Sequence, residues 1–548
     1  MTHAFRQFLL PLLFPGLLLP AACDDSAKQG DDVPWDQLVQ VTFPAGAPGR
    51  RAVDLVLVVD NSYGNTDMRA ILSSSLLHAI PVLEGLEHGL PELHLGLITT
   101  DLGSAPYNVP GCETPGGDDG RFLRLLGETP TDPPNQLFVV DVEPRGCTIE
   151  RTPVPGAPLT CASHDCTPAN CEPAAFELTG LPAEPAGLRL ELDARGCPRC
   201  RNTLQPTLAE EVAYLEFASG GFGCGFEQPF EALHRALFAG PPENVGFLRA
   251  GALLAPLFFM DEDDCSVADP VLFNPGTEAP MTGGLGELTS YRCARFGVTC
   301  DEPWPGANPP YGVTTLQGCV PRPPGDPEAL LHPVERYVAA LLGLRDREDL
   351  LVTALSGPHT DEVTVEHYED RSPKVRCACG DESECAAPMV RLAAFLAAFE
   401  PDTAKRERAV QDLCANDYLP GLLRLVERLR ARWEAPCMLH PAAGCVAPPA
   451  APDFAEPCNP RCRVLDEDDV TDGVAGVSRE LPPCDPAHRS GHPPDLDPDL
   501  PQDACFHVMR DELCAQTHDG AGGSRLRVSR RSPAPPTARI RYACVPAP

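Results

Sequence analysis

Lysine is almost missing from the 548 residues: only Lys28, Lys374 and Lys405 stand among 43 basic side chains, against 78 acidic ones, for a formal charge of −35. None of the three is followed by Ser or Thr, which excludes a phosphate-binding loop. The cation deficit excludes a nucleic-acid binder that works by neutralising phosphates, because such proteins need clustered positive charge. Catalytic signatures are missing as well, with no Ser in Gly-x-Ser-x-Gly and no His-Glu-x-x-His. The apolar run from Phe8 to Leu19 falls short of the roughly 20 residues that span a bilayer. No repeat of fixed period is visible.

What is present is ordinary globular composition, 43% hydrophobic and 22% charged, so a core can be buried. Arg6, the short apolar run, Pro20, Ala21 and Ala22 before Cys23 read as a signal peptide over residues 1–22. Leu19-Pro20-Ala21-Ala22-Cys23 resembles a bacterial lipobox, with Pro20 where that motif usually has Leu, and assigns Cys23 as the lipidated residue. Residues 23–50 then form a lipid-anchored linker. Setting Cys23 aside leaves 24 of the 25 cysteines, enough to pair completely in an oxidising compartment. The expected location is exported, anchored to the outer membrane or cell surface, or periplasmic. Cys197-Pro198-Arg199-Cys200 and Cys377-Ala378-Cys379 read as disulfide partners, since neither has a second pair at zinc spacing.

Ala52 to Asp60 is a β-branched, nearly continuous apolar run, as expected of a parallel strand buried on both faces. Asn65 to Glu87 carries helical spacing, and Leu93 to Thr100 is a second strand, giving a βαβ unit. Further strands are expected at Leu137 to Val142, Ala252 to Met260 and Leu350 to Leu355, with helices at Leu208 to Phe217, Phe226 to Phe238, Val334 to Leu344, Ala387 to Phe399 and Tyr418 to Trp433. The fold class predicted is α/β, a doubly wound, mostly parallel sheet over residues 51–435. Pro, Gly and Cys mark disulfide-stapled insertions at about 103–205 and 266–327, and residues 436–548 read as a small disulfide-rich module.

In such a sheet ligands bind beyond the carboxyl ends of the strands. Asp60-Asn61-Ser62, Thr99-Thr100-Asp101 and Asp261-Glu262-Asp263 end three of the expected strands, and oxygen ligands of this kind suit Mg²⁺ or Ca²⁺. The same residues are also common turn and cap formers. His488 and His492 lie in a Pro-rich loop, and the acidic run Asp466 to Asp469 lacks the Gly and Glu of a calcium loop.

VDLVLVVDNSYGNTDM resembles the first strand and metal loop of von Willebrand factor A domains, whose motif is Asp-x-Ser-x-Ser. LHLGLITTDLG, GCGFEQPFEAL, GFLRAGALLAPLFFMDEDDCS, SYRCARFGVTC and VERYVAALLGL resemble stretches of cysteine-rich, A-domain-like secreted lipoproteins of myxobacteria and related bacteria. The resemblance implies a metal site at Asp60, Ser62 and Asp261, with Thr100 and Asp101 behind it. Gly64 stands where the second Ser belongs, and Met260-Asp261-Glu262 replaces Thr-Asp-Gly. The loop that should supply a Thr, Gly221 to Glu227, has none, and Glu227 is not carried forward as its substitute. The function implied is a non-enzymatic cell-envelope lipoprotein that binds a protein or surface glycan, through weakly held Mg²⁺ or Ca²⁺, with no nucleic acid. Two rivals stand beside it: a secreted hydrolase whose insertions form a lid over Asp261 and Asp263, and a purely structural envelope protein.

Overall fold

The structure is a computed structural model that describes residues 38–44, 51–124, 137–154, 157–178, 184, 187–275, 284–305, 310–367, 373–380, 385–438, 440, 442, 460–467, 478–488, 497–517, 523–532, 534–535 and 538–546. The expected signal peptide, Cys23, His492, Asp468 and Asp469 lie outside the described residues.

The apolar runs form the strands they predict. β1 (Ala52–Val59), β2 (Glu92–Thr99) and β6 (Leu253–Met260) are each buried along their whole length. They belong to an eight-stranded sheet with β3 (Val139–Val142), β4 (Arg189–Leu192), β5 (Pro198–Arg201), β7 (Thr353–Ser356) and β8 (Val410–Asp412), in spatial order β8-β7-β6-β1-β2-β3-β5-β4. The five strands from β8 to β2 are mutually parallel, and β3, β5 and β4 continue the sheet antiparallel. Residues 103–205 are therefore not only an insertion. Their strands β4 and β5 extend the main sheet, held by the Cys161–Cys197 and Cys171–Cys200 disulfides.

Helices cover both faces of the sheet, as parallel strands buried on both sides require. On one face α1 (Thr66–Glu84), α2 (Leu208–Ala218) and α6 (Leu419–Arg430) pack Leu72, Leu76, Leu83, Val212, Leu422 and Val426 against Leu55, Leu57 and Leu257. On the other face α3 (Pro229–His234), α4 (Val334–Leu344) and α5 (Arg391–Phe399) bring Phe230, Tyr337 and Phe395 onto Val56, Val58 and Phe258. Each such buried side chain stabilises by roughly 1.5–3 kcal/mol. Thr207 starts α2 by accepting from Glu210 N, with Glu210 reaching back in a capping box.

Eleven disulfides join described residues, and the four cysteines of the two close pairs noted in the sequence each bond outside their own pair, to Cys161, Cys171, Cys385 and Cys414. Bonds in this number fit a chain folded in an oxidising, extracytoplasmic compartment. No helix among the described residues is long and apolar enough to cross a membrane.

Near the carboxyl end, Cys462–Glu467, Ser478–Glu480 and Arg539–Cys544 form a sheet whose fourth strand is Val41–Pro44. That corrects the expectation of a continuous linker over residues 23–50: Phe43 is buried among Met438, Val464, Phe506, Ile540 and Tyr542. Four residues, with Val41 and Phe43 as apolar contacts, are too short a run to announce a strand whose partner lies some 500 positions away.

Candidate metal centre

β1, β2 and β6 run parallel and in step, with Val59 level with both Thr99 and Phe259, so the residues that follow them share one pole of the sheet. Setting β4 and β5 aside, the six remaining strands taken in chain order lie 3-2-1-4-5-6, and the order reverses between β1 and β6. Asp60 and Asp261 flank that reversal. A crevice at such a point is where ligands of open α/β sheets bind.

Asp60 is fully buried, and its Oδ1 accepts from the backbone N–H of Ser62 at 2.8 Å. Asn65 joins the two carboxylates: its Nδ2 donates to Asp60 Oδ2 at 2.7 Å and to Asp261 Oδ1 at 2.9 Å. The loop before α3 closes over this group. Gly223 N–H donates to Asn61 O at 2.9 Å, and only a glycine fits there, because a Cβ would stand 2.1 Å from Asn61 Oδ1. Arg69 of α1 pairs with Glu216 at 3.6 Å and donates to Ser219 Oγ, fixing the same loop from below.

The structure thus brings Asp60, Ser62 and Asp261 together. It adds two acids that the sequence reading left out, Glu227 and Glu262. Burial pushes Glu227 well above the ordinary carboxylate range, and the neighbouring Glu262, Asp60 and Asp261 push the same way. Asp261 is raised likewise, by burial and then by Asp60. Glu262 is pushed up to about 7 by burial and Asp60, against the pull of hydrogen bonds from Glu227 and Ser290 and the charge of Lys374. Among the described residues, none of the four carboxylates has a cationic side chain within ion-pair distance. Asn61 Oδ1, Asn65 Oδ1 and Thr100 Oγ1 are buried without a hydrogen-bond partner.

Thr100 is fully buried and its carbonyl accepts from Gln228 N–H at 3.0 Å, which ties the Glu227 loop to β2. Asp101 accepts from Gly103 N–H at 2.8 Å through Oδ1 and from the backbone N–H of Cys224, which lies beside Gly223 in the loop before α3, and the acid next to it is Asp118. Asp263 is occupied too. It caps α5 by accepting from the N–H groups of Val390, Arg391 and Leu392, and Asp264 binds Arg391 at 2.8 Å, so these two acids hold a helix.

Gly64, standing where the resembled motif has Ser, lies beside the group: a Cβ on it would be 4.0 Å from Asp261 Oδ2. A signal for Glu262 was available in its place next to Asp261. Glu227 stands in the loop that should supply the Thr, but its burial depends on that loop folding back across two strands, which the sequence does not show.

No family model matches the chain, and no curated protein matches it. Among solved structures, it is similar to the pilus adhesin RrgA from Streptococcus pneumoniae, at 9% identity and a TM-score of 0.27 over 92% of this chain. The chain spans 58% of that adhesin's length. A likeness at this level carries no argument about fold or activity.

Proposed function

We propose that the chain is a non-enzymatic cell-envelope lipoprotein whose larger part is a doubly wound, von Willebrand factor A-type domain that binds a protein or surface glycan through a divalent cation. The observation that carries this reading is the group of four carboxylates, Asp60, Asp261, Glu227 and Glu262, gathered at the strand-order reversal without a positive partner. Burying like charges unpaired is costly, and a bound cation is the ordinary remedy. The donor set fits a hard ion: carboxylate, hydroxyl and amide oxygens and no sulfur or imidazole. Asp60, Ser62 and Asp261 would hold it, with Glu227 or Glu262 replacing the oxygens lost at Gly64 and at the absent Thr. When bound, Mg²⁺ or Ca²⁺ supplies a positive centre to which a partner's carboxylate can attach. This chain's own residues position it: Asn65 orients both aspartates, and the Gly223 contact holds the loop closed.

Calorimetric titration with Mg²⁺ and Ca²⁺, wild type against Asp60→Ala, tests the site. We expect dissociation constants of roughly 10⁻⁴ to 10⁻³ M, as in extracellular calcium modules, and their loss in the variant. If millimolar cation neither binds to the wild type nor shifts its melting temperature, the metal reading is wrong. Anchoring is tested separately, by palmitate labelling of wild type and Cys23→Ser in a bacterial host, with label expected only in the wild type.

A further inference from the structure

Six aromatic side chains are exposed among the described residues, and four of them, Tyr63, Tyr214, Phe217 and Phe222, lie on the loop after β1, the last turns of α2 and the loop that follows it. Tyr63 is 76% exposed, Phe217 73% and Phe222 84%, so most of each ring faces water. The backbone sets two of them side by side: Ser62 and Gly223 bridge in parallel, and the Tyr63 and Phe222 ring centroids stand 6.0 Å apart at 33°. Tyr214 and Phe217 form a second pair, stacked at 12°. Phe222 follows Phe217 by five positions, so their Cα atoms lie within about 18 Å. The Cys112–Cys224 disulfide and the Asn61 side chain, which donates to Ser219 O at 2.9 Å, pin the loop that carries Phe222, so the rings are held ready.

What surrounds the rings narrows what can cover them. Gly220, Gly221, Gly223 and Gly225 flank Phe222, and a Cβ at Gly220 or Gly225 would meet nothing within 4 Å, so the ring stands clear of its neighbours. Within residues 61–67 and 214–227 no Leu, Ile, Val or Met is exposed, and every charged side chain is acidic. A protein partner needs about 800 Å² on each side around a continuous apolar centre, which isolated rings among glycines do not supply. A polyanion is repelled by these acids and by the chain's charge of −35. An uncharged polyhydroxyl chain meets neither obstacle. The C–H face of a sugar ring lies flat on an aromatic ring, while its hydroxyls reach water, the exposed Thr66 and Asp67 and the backbone of the flanking glycines.

We infer that these two ring pairs are the seat of a neutral glycan, one hexose resting on Tyr63 and Phe222 and later units of the same chain on Phe217 and Tyr214. This narrows the partner of the proposed adhesion face from a protein or glycan to a glycan. Stacking on the rings needs no metal, so it stands apart from the cation reading.

Calorimetry or NMR titration of the full chain in EDTA tests it, with cellohexaose, mannohexaose, glucose and hexagalacturonate as probes. At least one neutral hexaose should bind saturably, and at least about tenfold more tightly than glucose, because only the longer chain reaches both pairs. Tyr63→Ala and Phe222→Ala should each weaken it by about tenfold, and Phe217→Ala should weaken the hexaose while leaving glucose unchanged. These side chains are exposed, so their removal leaves the core intact. Tyr311→Ala, which removes an equally exposed ring elsewhere, should have no effect. With EDTA present, failure here is separate from failure of the cation site, which the Mg²⁺ and Ca²⁺ titrations read. No neutral hexaose binding up to about 10 mM, binding unchanged in Tyr63→Ala and Phe222→Ala, or hexagalacturonate binding as tightly as the neutral chains overturns the proposal. So does sedimentation showing a dimer that Phe222→Ala dissolves, which would give the rings to a second copy.

Discussion

Both poles of the eight-stranded sheet bury carboxylates, and they treat them in opposite ways. At the pole where the parallel strands begin, each acid meets a guanidinium. Asp54 of β1 binds Arg249 at 2.8 Å, Asp141 of β3 binds Arg199 and Arg201, and Glu87, just past α1, binds Arg525 and Arg527. Arg525 also reaches Glu434 and Asp511, each at 3.1 Å, and Asp511 takes Arg430 at 2.8 Å. At the opposite pole Asp60, Asp261, Glu227 and Glu262 have no such partner. Burial would raise Glu87 and Asp511, yet the arginines hold both below their ordinary values, whereas Asp261, Glu227 and Glu262 are raised. The matched pole works as a lock, joining the carboxyl-terminal module to the ends of α1 and α6 together with the Cys437–Cys514 disulfide. Among the described residues, the four acids of the unmatched pole have no such lock.

The largest effect that would break this contrast is at the lock. Arg525→Ala leaves Glu87, Glu434 and Asp511 buried with fewer partners, and loss of one member of a buried pair costs about 3–5 kcal/mol. Urea denaturation should show it as a lower midpoint, and an unchanged midpoint would mean the three acids are not held by Arg525.

At the other pole the sign reverses. Asp261→Asn removes one of four like charges, so in EDTA it should stabilise by about 1–2 kcal/mol, read as a higher melting temperature. The same variant should lose the rise in melting temperature that Mg²⁺ or Ca²⁺ gives the wild type. A drop in EDTA would show that Asp261 is a structural acid.

A smaller difference separates the poles by pH. Glu262, raised from 4.5 to about 7, is protonated in the folded chain and ionised in the unfolded one between those values. The unfolded state therefore binds fewer protons, and in EDTA the contribution of Glu262 should fall as pH rises from about 4.5 to 7, then level off. Glu87 and Asp511 are lowered, so their contribution is full above their ordinary values near 4 and is lost as pH falls below them. Melting curves of wild type and Glu262→Gln from pH 4 to 8 separate the two: the variant should show a shallower decline between 4.5 and 7, the rest coming from Glu227 and Asp261.

The smallest effect sharpens the metal site itself. Gly64→Ser adds a hydroxyl where its Cβ has only Asp261 Oδ2, at 4.0 Å, for a neighbour. Cation affinity should rise by up to roughly tenfold, about 1.4 kcal/mol, with little change in EDTA. Unaltered affinity would place the cation away from residue 64.

The parallel strands β1, β2, β6 and β7 were legible because burial on both faces writes itself as an unbroken apolar run, whereas β8, Val410–Asp412, is partly exposed and gave no such run. Asp60, Thr100 and Asp261 were legible because they end such runs. Edge elements carry no such mark: β4 is partly exposed and contains Arg189 and Glu191, and it is held by pairing and disulfides rather than by apolar content. Asn65 escaped, and Glu227 and Glu262 were noticed but not assigned to the site; all three owe their roles to neighbours distant in sequence. Asn65 reaches across 196 positions to Asp261, and no local pattern encodes that bond.

Val41–Pro44 has a mechanical consequence. It lies antiparallel against Arg539–Cys544, whose last residue is bonded through sulfur to Cys462. Tension drawn along the amino-terminal leader meets that ladder before it reaches β1. From there it passes into the small module, through Cys437–Cys514 and the guanidinium contacts, and reaches the sheet at the ends of α1 and α6. The acid pole is the last part of this path to feel a pull, while the module at the opposite end carries the strain.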